Sequence, residues 1–178
     1  DDVSASVSVV RDHGRIYVDG DGNATEATGA VMDITERRRI EEHDRMLADA
    51  TQLLATAADD DGALQSVVDD LVPRFAPWAG IYLCDGDSLR KAACGGDERL
   101  APDAAHVQDV LRTGSAAANS HVIAVPLRVA SNAFGAIAFA SSNFAFDPHD
   151  IAFATELAER LALSVDRGRL FRDLARAN

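Results

Sequence analysis

Apolar and polar residues alternate at the front of the chain, where Val3, Ala5, Val7 and Val9 are separated by Ser4, Ser6 and Ser8. A period of two sends successive side chains to opposite faces and predicts a half-buried strand. Arg15 to Val18 and Thr25 to Met32 read as two further strands around Asp21-Gly22-Asn23, residue types that tolerate positive φ in a hairpin turn. Three short strands bury too little to be stable alone, so this segment reads as the tail end of a domain. At Asp33 the period changes. Asp33 or Thr35 is placed to cap a helix, Glu36 completes a capping-box pattern with Asp33, and neither Pro nor Gly intervenes before Gly62. One helix of about 25 residues is expected. Ile40, Leu47 and Leu54 recur every seven residues, with His43, Ala50 and Ala57 three further on, giving a thin seam suited to a parallel two-stranded coiled coil.

Further along, Leu64 to Phe75 is an amphipathic helix, Gly80 to Asp85 and Ser88 to Cys94 form a hairpin around Gly86, and Pro102 to Arg112 is a second helix. Residues 121–141, HVIAVPLRVASNAFGAIAFAS, give two strands around a short polar turn. Pro126 marks an irregular strand position, and Gly135 a bulge or a close approach. A last helix opens with Asp147 as cap and Pro148 at its first position, and carries Ile151, Ala154, Leu161 and Val165 on one apolar face.

Composition narrows what this pattern can do. A chain of 178 residues with 47% apolar content builds one ordinary core plus an appendage. The formal charge of −12 repels nucleic-acid backbones and anionic membranes, and an aromatic share of 6% offers no stacking platform. Neither nucleic acid nor lipid is an expected direct partner. The apolar stretches fall well short of the roughly 20 residues of a membrane helix. Cys84 and Cys94 lack metal-ligand spacing and read as buried free thiols, so a soluble chain in a reducing cytoplasm is expected.

Candidate chemistry is sparse. Asp19, Asp21 and Asn23 alternate like the first ligands of a calcium loop, but the sixth and twelfth positions hold Ala24 and Ala30 where Gly and a bidentate Glu are needed. The Asp-rich segment therefore reads as a turn. His43 fits a polar seam position, His121 opens a strand, His106 and His149 fall on exposed helix faces, and His13 falls on a turn. No acid–base pair, nucleophile–histidine arrangement or metal cluster stands out, and no enzyme activity is expected.

Two resemblances give this pattern a context. Gly29-x-x-x-Asp33-Ile34-Thr35-Glu36-Arg37 resembles the end of a PAS sensor domain, whose last strand runs through Asp-Ile-Thr into a signalling helix. From about Leu47 the chain resembles a GAF domain, through LVPRFAPW (residues 71–78), the hairpin carrying Val125-Pro126-Leu127 and Phe134-Gly135, and Phe146-Asp147-Pro148 before the closing helix. The resemblance implies an α+β fold, an antiparallel sheet flanked by N- and C-terminal helices and preceded by a long helix and a short β segment. The domains implied are residues 1–34 (PAS remnant), 35–57 (signalling helix) and 58–178 (GAF). It also implies a non-catalytic sensory or regulatory module of a sensor histidine kinase or a regulatory serine phosphatase; a ligand-free dimerisation scaffold is the alternative. Asn143, Phe146 and Asp150 match part of the cyclic-nucleotide GAF signature, but its Lys and final acid are missing, so cyclic-nucleotide binding is not implied. Residues 113–121, TGSAAANSH, hold no cysteine for a bilin and are too short for a long lid. The cofactor, if there is one, is left unknown. Strand alternation sets Gly80, Tyr82 and Cys84 against Ile81 and Leu83, so Tyr82, Cys84 and Cys94 are expected to border one sheet face as a small-molecule site, with His121 at its mouth. A parallel homodimer through the helices Ile34 to Ala57 and Ile151 to Leu174 is expected.

Overall fold

The computed structural model describes residues 8–56, 60–86 and 88–177. The chain divides into two compact units, Asp1–Arg45 and Met46–Asn178. In the first, strands β1 (Val10–Val18) and β2 (Ala24–Asp33) pair antiparallel as a sheet of their own. Their turn is held by Asp19, whose Oδ1 accepts from the N–H groups of Asp21 at 3.0 Å and Asn23 at 2.8 Å. These bonds, the Asn23 N–H first, hold the Asp19 carboxyl below its ordinary pKa. Its oxygens are thus engaged by the turn, and no group of three metal-ligating side chains occurs among the described residues.

Two expectations shift here. The strand expected at Val3 to Val9 lies mostly outside the described residues, and Ser8 and Val9 are not in a strand. His13 is not on a turn: it sits within β1 opposite Ala30, because the ladder extends through Arg11 to Gly14 although those residues lack apolar alternation. The helix start is built by Asp33 Oδ1, which accepts from the Thr35 N–H at 2.9 Å and the Thr35 hydroxyl at 2.6 Å. The first helical bond then runs from the Arg38 N–H to the Ile34 carbonyl.

Helix α1 (Thr35–Thr56) crosses the boundary between the units. Its second half carries Met46, Leu47 and Ala50 into the core of the second unit. This corrects the coiled-coil seam, since Leu47 and Ala50 are covered by their own domain while Ile40 is 45% exposed. The division between the units falls within α1, after Arg45, and the buried turn of α1 belongs to the core it packs on.

The second unit continues with α2 (Asp60–Leu71), β3 (Trp78–Asp85), β4 (Ser88–Gly96), a 3-10 turn at Glu98–Leu100, α3 (Ala104–Thr113), β5 (Ala117–Ala118), β6 (Val122–Val129), β7 (Asn132–Ala140) and α4 (Pro148–Ala177). The strands form one antiparallel sheet in the order β4-β3-β7-β6-β5. The fold is α+β, as expected. From Phe134 to Ala140 the central strand β7 is wholly buried, which explains its nearly continuous apolar run. On one face Ile81, Leu83, Ile123, Val125, Ile137 and Phe139 meet residues of α1, α2 and α4, with Phe75 packed edge-on against Phe139 at 4.8 Å between ring centroids. The other face carries α3.

Local chemistry fixes the ends of these elements. Asp147 Oδ1 accepts from the N–H groups of His149 at 2.8 Å and Asp150 at 3.1 Å, and Asp150 Oδ2 accepts from the Asp147 N–H at 3.0 Å, a reciprocal capping box around Pro148. Pro126 lies on β6 past the point where the two-residue β5 stops covering that edge, a position where a missing N–H breaks no ladder bond. At Gly135 a Cβ would lie 2.5 Å from the Tyr82 carbonyl oxygen, so the glycine marks a close approach of β7 to β3 beside the register shift at Leu127/Arg128.

Two substitutions test this packing by urea denaturation followed by circular dichroism. Gly96 has φ +91° and no room for a Cβ, which would meet the Pro77 carbonyl oxygen at 2.0 Å. Gly96→Ala is expected to destabilise the second unit by about 1 to 3 kcal/mol from backbone strain, with the clash adding to it. Leu47→Asp is expected to abolish the cooperative transition, since it places an unpaired charge in the core; a stable, well-folded Leu47→Asp monomer would return Leu47 to a subunit seam.

Candidate functional site

The face under α3 is where the chemistry-bearing residues gather. Along β3, Trp78, Gly80, Tyr82 and Cys84 share this face by alternation, while Ile81 and Leu83 point into the helix-covered core. Gly80 has a specific job: the Trp78 ring lies where its Cβ would be, with Cη2 at 2.6 Å and Cζ2 at 2.9 Å from that position. The indole is thus laid flat along the strand toward Tyr82. Small residues complete the floor, Ala124 from β6 and Ala136, Ala138 and Ala140 from β7, and α3 supplies Val107 and Val110 above them. Helix α3 ends as its sequence dictates, at Gly114 with φ +64° in the left-handed region.

The β3–β4 register places Cys94 opposite Gly80, and a shift after Ile81 brings Lys91 opposite Tyr82. The Lys91 ammonium pairs with the Glu98 carboxylate at 3.2 Å. The Cys94 thiol also donates to Glu98. That bond holds the Cys94 pKa above its ordinary value, with burial adding to the effect, while Glu98 is lowered first by Cys94 and then by Lys91. Burial, the largest single influence, pulls Lys91 down, but its bond to Glu98 together with the charges of Tyr82, Glu98 and Cys94 outweighs it and the net shift is upward. The Tyr82 hydroxyl is raised by burial. At neutral pH the group is therefore a protonated thiol beside a closed ion pair, and a protonated thiol is a poor nucleophile.

The expected site residues divide. Tyr82 is buried, and Cys84 and Cys94 are half-buried rather than buried, since both lie toward strand ends where cover thins. Cys94 faces Gly80, four residues or about 13 Å along the strand from Cys84, well beyond disulfide reach. His121 is exposed; its N–H donates to Asn119 Oδ1 at 2.9 Å and its carbonyl accepts from the Ser141 N–H, and among the described contacts no side-chain bond joins it to the Tyr82–Cys94 group. His106 corrects the expectation of an exposed helix face, because its Nε2 is buried beside the Val107 and Val110 side of α3. Asn143, Phe146 and Asp150 are absorbed by structure: the Asn143 N–H donates to Ser141 Oγ, Phe146 stacks on Phe75 at 5.8 Å, and Asp150 closes the α4 cap.

Sequence reasoning missed Trp78, Lys91, Glu98 and His106. The spacing of Trp78, Gly80 and Tyr82 carried a signal, since a glycine between two aromatics on one strand face leaves room for a ring to lie down. Nothing signalled the meeting of Lys91 with Tyr82, which depends on the register shift. Two buried polar atoms at this face lack a hydrogen-bond partner, Trp78 Nε1 and His106 Nε2. From α4, Arg169 reaches back to the sheet: its guanidinium donates to the Cys84 carbonyl at 3.0 Å and stands 4.8 Å from the Phe134 ring centroid.

The Cys94–Glu98 bond has a readable pH signature. In a Cys84→Ser background, Cys94 is expected to react with iodoacetamide more slowly at pH 8 than an unperturbed thiol, and Glu98→Gln is expected to speed it several-fold by releasing the thiolate. Because the folded pKa is raised, the thiol's contribution to stability is full below its unfolded value and is lost as pH rises through the folded one. An alkylation rate unchanged by Glu98→Gln would show that the carboxylate does not hold the thiol.

The sequence profile of the GAF domain family matches residues 11–165. The match begins within β1, although β1 and β2 form a sheet separate from the five-stranded one. Among solved structures, the chain is similar to the free methionine-R-sulfoxide reductase of Neisseria meningitidis in complex with its substrate, at 20% identity over 72% of this chain and 90% of that one, with a TM-score of 0.62. It is similar to the GAF domain of a phosphoenolpyruvate-protein phosphotransferase from Coxiella burnetii, at 16% identity over 75% and 98% of the two chains and a TM-score of 0.65. A third likeness is to the GAF domain of a protein described as a sensor histidine kinase in Pseudomonas syringae pv. tomato, at 19% identity over 78% and 97% with a TM-score of 0.58. A comparison with curated proteins finds no match. With its sheet order, its helix-covered core and a family match over most of its length, the chain belongs to the GAF domain family.

Proposed function

We propose that this chain is a non-catalytic sensory module of a signal-transduction protein, a sensor histidine kinase in the first instance, in which the α3 face receives a small molecule and α1 and α4 carry the response. The observation that supports it best is the inequality of the two sheet faces. One is sealed by three helices over large side chains; the other is covered by the single helix α3 and holds Tyr82, Lys91, Cys94 and Glu98 together with two unpaired buried polar atoms. The nine- and ten-residue strands of the β1–β2 hairpin, exposed throughout, suit the end of a PAS sheet that hands over to α1. A reductase among the similar folds raises catalysis as a question. The protonated state of Cys94 and its distance from Cys84 argue against a thiol reaction cycle here.

The output is read from α4. Among the residues whose burial is described its last buried position is Val165, and the helix runs on to Ala177. Arg169 ties this extension to Cys84 on β3, the strand that carries Tyr82. Leu163, Leu170 and Leu174 are 59%, 58% and 63% exposed on one side of α4, and a groove of about 250 Å3 between α1 and α4 is lined by Leu54, Leu163 and Arg160. These residues replace Leu47 as the surface for a parallel homodimer, the partner being a second copy. A ligand-free scaffold remains the second reading, favoured by the close seating of Val107 and Val110 on the alanine floor.

Native mass spectrometry and solution scattering of the purified chain test the reading together. A dimer is expected, converted to monomer by Leu163→Glu with Leu170→Glu without loss of melting temperature; a wild type that stays monomeric at high concentration would refute the pairing. Arg169→Ala is expected to raise hydrogen exchange in residues 166–177 while leaving residues 134–140 protected. Unchanged exchange there would remove Arg169 as the link between sheet and helix.

A further inference from the structure

We infer that the α3 face takes a small, uncharged, planar molecule whose edge presents a carbonyl beside an N–H, the chemistry of a cyclic amide, bound by Trp78 Nε1 and His106 Nε2. The assignment rests on the sensory reading of this face and adds the class of ligand to it.

The first observation is Trp78. It is fully buried, its ring lies on Gly80 within the α3 face, and its Nε1–H has no acceptor. An indole nitrogen only donates, so the partner it lacks is an acceptor. Leaving a buried donor unpaired costs as much as its lost solvation, which is why such atoms in folded proteins find a partner when one is available. The second observation is His106, on the covering helix, whose Nε2 is also buried and unpaired. A neutral imidazole nitrogen accepts when its ring partner carries the proton, so with His106 protonated at Nδ1, the tautomer taken for the inferred complex, the sheet offers a donor and the helix an acceptor.

The surroundings set the rest of the class. Ala124, Ala136, Ala138 and Ala140 make a flat apolar floor with no side chain longer than a methyl group, and Val107 and Val110 make an apolar roof. Floor and roof are packed as one cluster, so a ligand enters only as α3 lifts, and a planar ring is the shape that needs the smallest lift. Charge is excluded by the same inventory. The nearby cation, Lys91, is closed onto Glu98, and Glu98 also holds the Cys94 thiol, so an anion entering here would meet no free counter-charge. Helix α3 is the element that must give way: it is held by Val107, Val110 and Leu111 and by the Arg128 bond to the Gly114 carbonyl, and its N-cap Asp103 makes no side-chain capping bond.

Trp78 is the single tryptophan of the chain, so its indole N–H gives one unambiguous signal in a proton–nitrogen correlation spectrum. The probes are 2-pyridone, which has the carbonyl beside an N–H, benzene, which has the shape without the polar edge, and benzoate, which carries a charge. Saturable movement of the indole signal is expected with 2-pyridone and not with benzoate, with benzene at least about tenfold weaker, the equivalent of one hydrogen bond. Trp78→Phe removes the donor and is expected to weaken 2-pyridone by a similar factor, read from the α3 amides. His106→Leu, on a partly exposed helix, serves as the second variant should Trp78→Phe fail to fold.

The inference is overturned if benzene and 2-pyridone bind alike, or if benzoate alone moves the α3 and β3 amides; in that second case the face is still a ligand site and the sensory reading survives with another ligand class. If no probe moves any amide of this face and a water cross-peak at the indole N–H supplies its acceptor, both the inference and the ligand half of the sensory reading fall, and the scaffold stands.

Discussion

The fold hangs on β7 having no solvated face. It is the middle strand of the five, paired with β3 on one side and β6 on the other, and from Phe134 onward every residue is buried. A strand in that position must be covered above and below. The residues it presents differ by face: Ile137 and Phe139 look toward the helices α1, α2 and α4, while Ala136, Ala138 and Ala140 look toward α3. Alternating large and small side chains gives the molecule a thick side and a thin side. The thick side fixes stability, since Leu157, Leu161, Phe153 and Phe75 interlock there with β7. The thin side leaves only methyl groups, so a helix can come close, an indole can lie flat, and little apolar area holds that helix down.

The helix-packed core and the proposed ligand face thereby lie on opposite faces of one strand, and the polar groups follow the same division. Around the thick core the ion pairs are exposed ties, such as Arg74 with Asp70 and Asp49 or Arg90 with Asp61, and pairs of this kind contribute little each. Under α3 the polar atoms are fewer but their environment is drier, so a single unpaired donor there weighs more than several surface bridges. The net charge of −12 has little bearing on either face beyond keeping the surface repulsive to other anions.

Much of this architecture was legible. The central hairpin, the Asp147-Pro148 helix start and the Pro126 and Gly135 irregularities each have a local cause, and each stands where the pattern put it. What was not legible depended on partners distant in sequence. Leu47 and Ala50 satisfy a heptad as well as they satisfy a core, and only the presence of α4 and the sheet decides between the two uses. His13 looked like a turn residue because backbone pairing, which carries no side-chain pattern, extended β1 through it. His106 looked exposed because α3 is short and its amphipathic face is wide enough to place the histidine on either side. The site suffered most, since the shift after Ile81 that brings Lys91 to Tyr82 is invisible to alternation, which would have placed Lys91 one pair away.

Arg169 shows why the thin side and the overhanging helix are not independent. It leaves α4 four residues after the last buried position, crosses the face of Phe134 where β7 begins its buried run, and ends on the Cys84 carbonyl at the far end of β3. Its position on α4 is therefore referred to two strands at once. Those strands leave no room for a Cβ at Gly135, next to Phe134 and against the Tyr82 carbonyl. A movement of Tyr82 that shifts its own carbonyl meets backbone at Gly135, with no flexible side chain between to absorb it. The neighbouring Phe134 ring and the Cys84 carbonyl are the two groups Arg169 holds. Packed interfaces of this kind pass small displacements on rather than dissipating them. One chain of contacts from the α3 face to the α4 extension thus runs through Tyr82, Gly135, Phe134 and Arg169, with backbone contact at its Tyr82–Gly135 step.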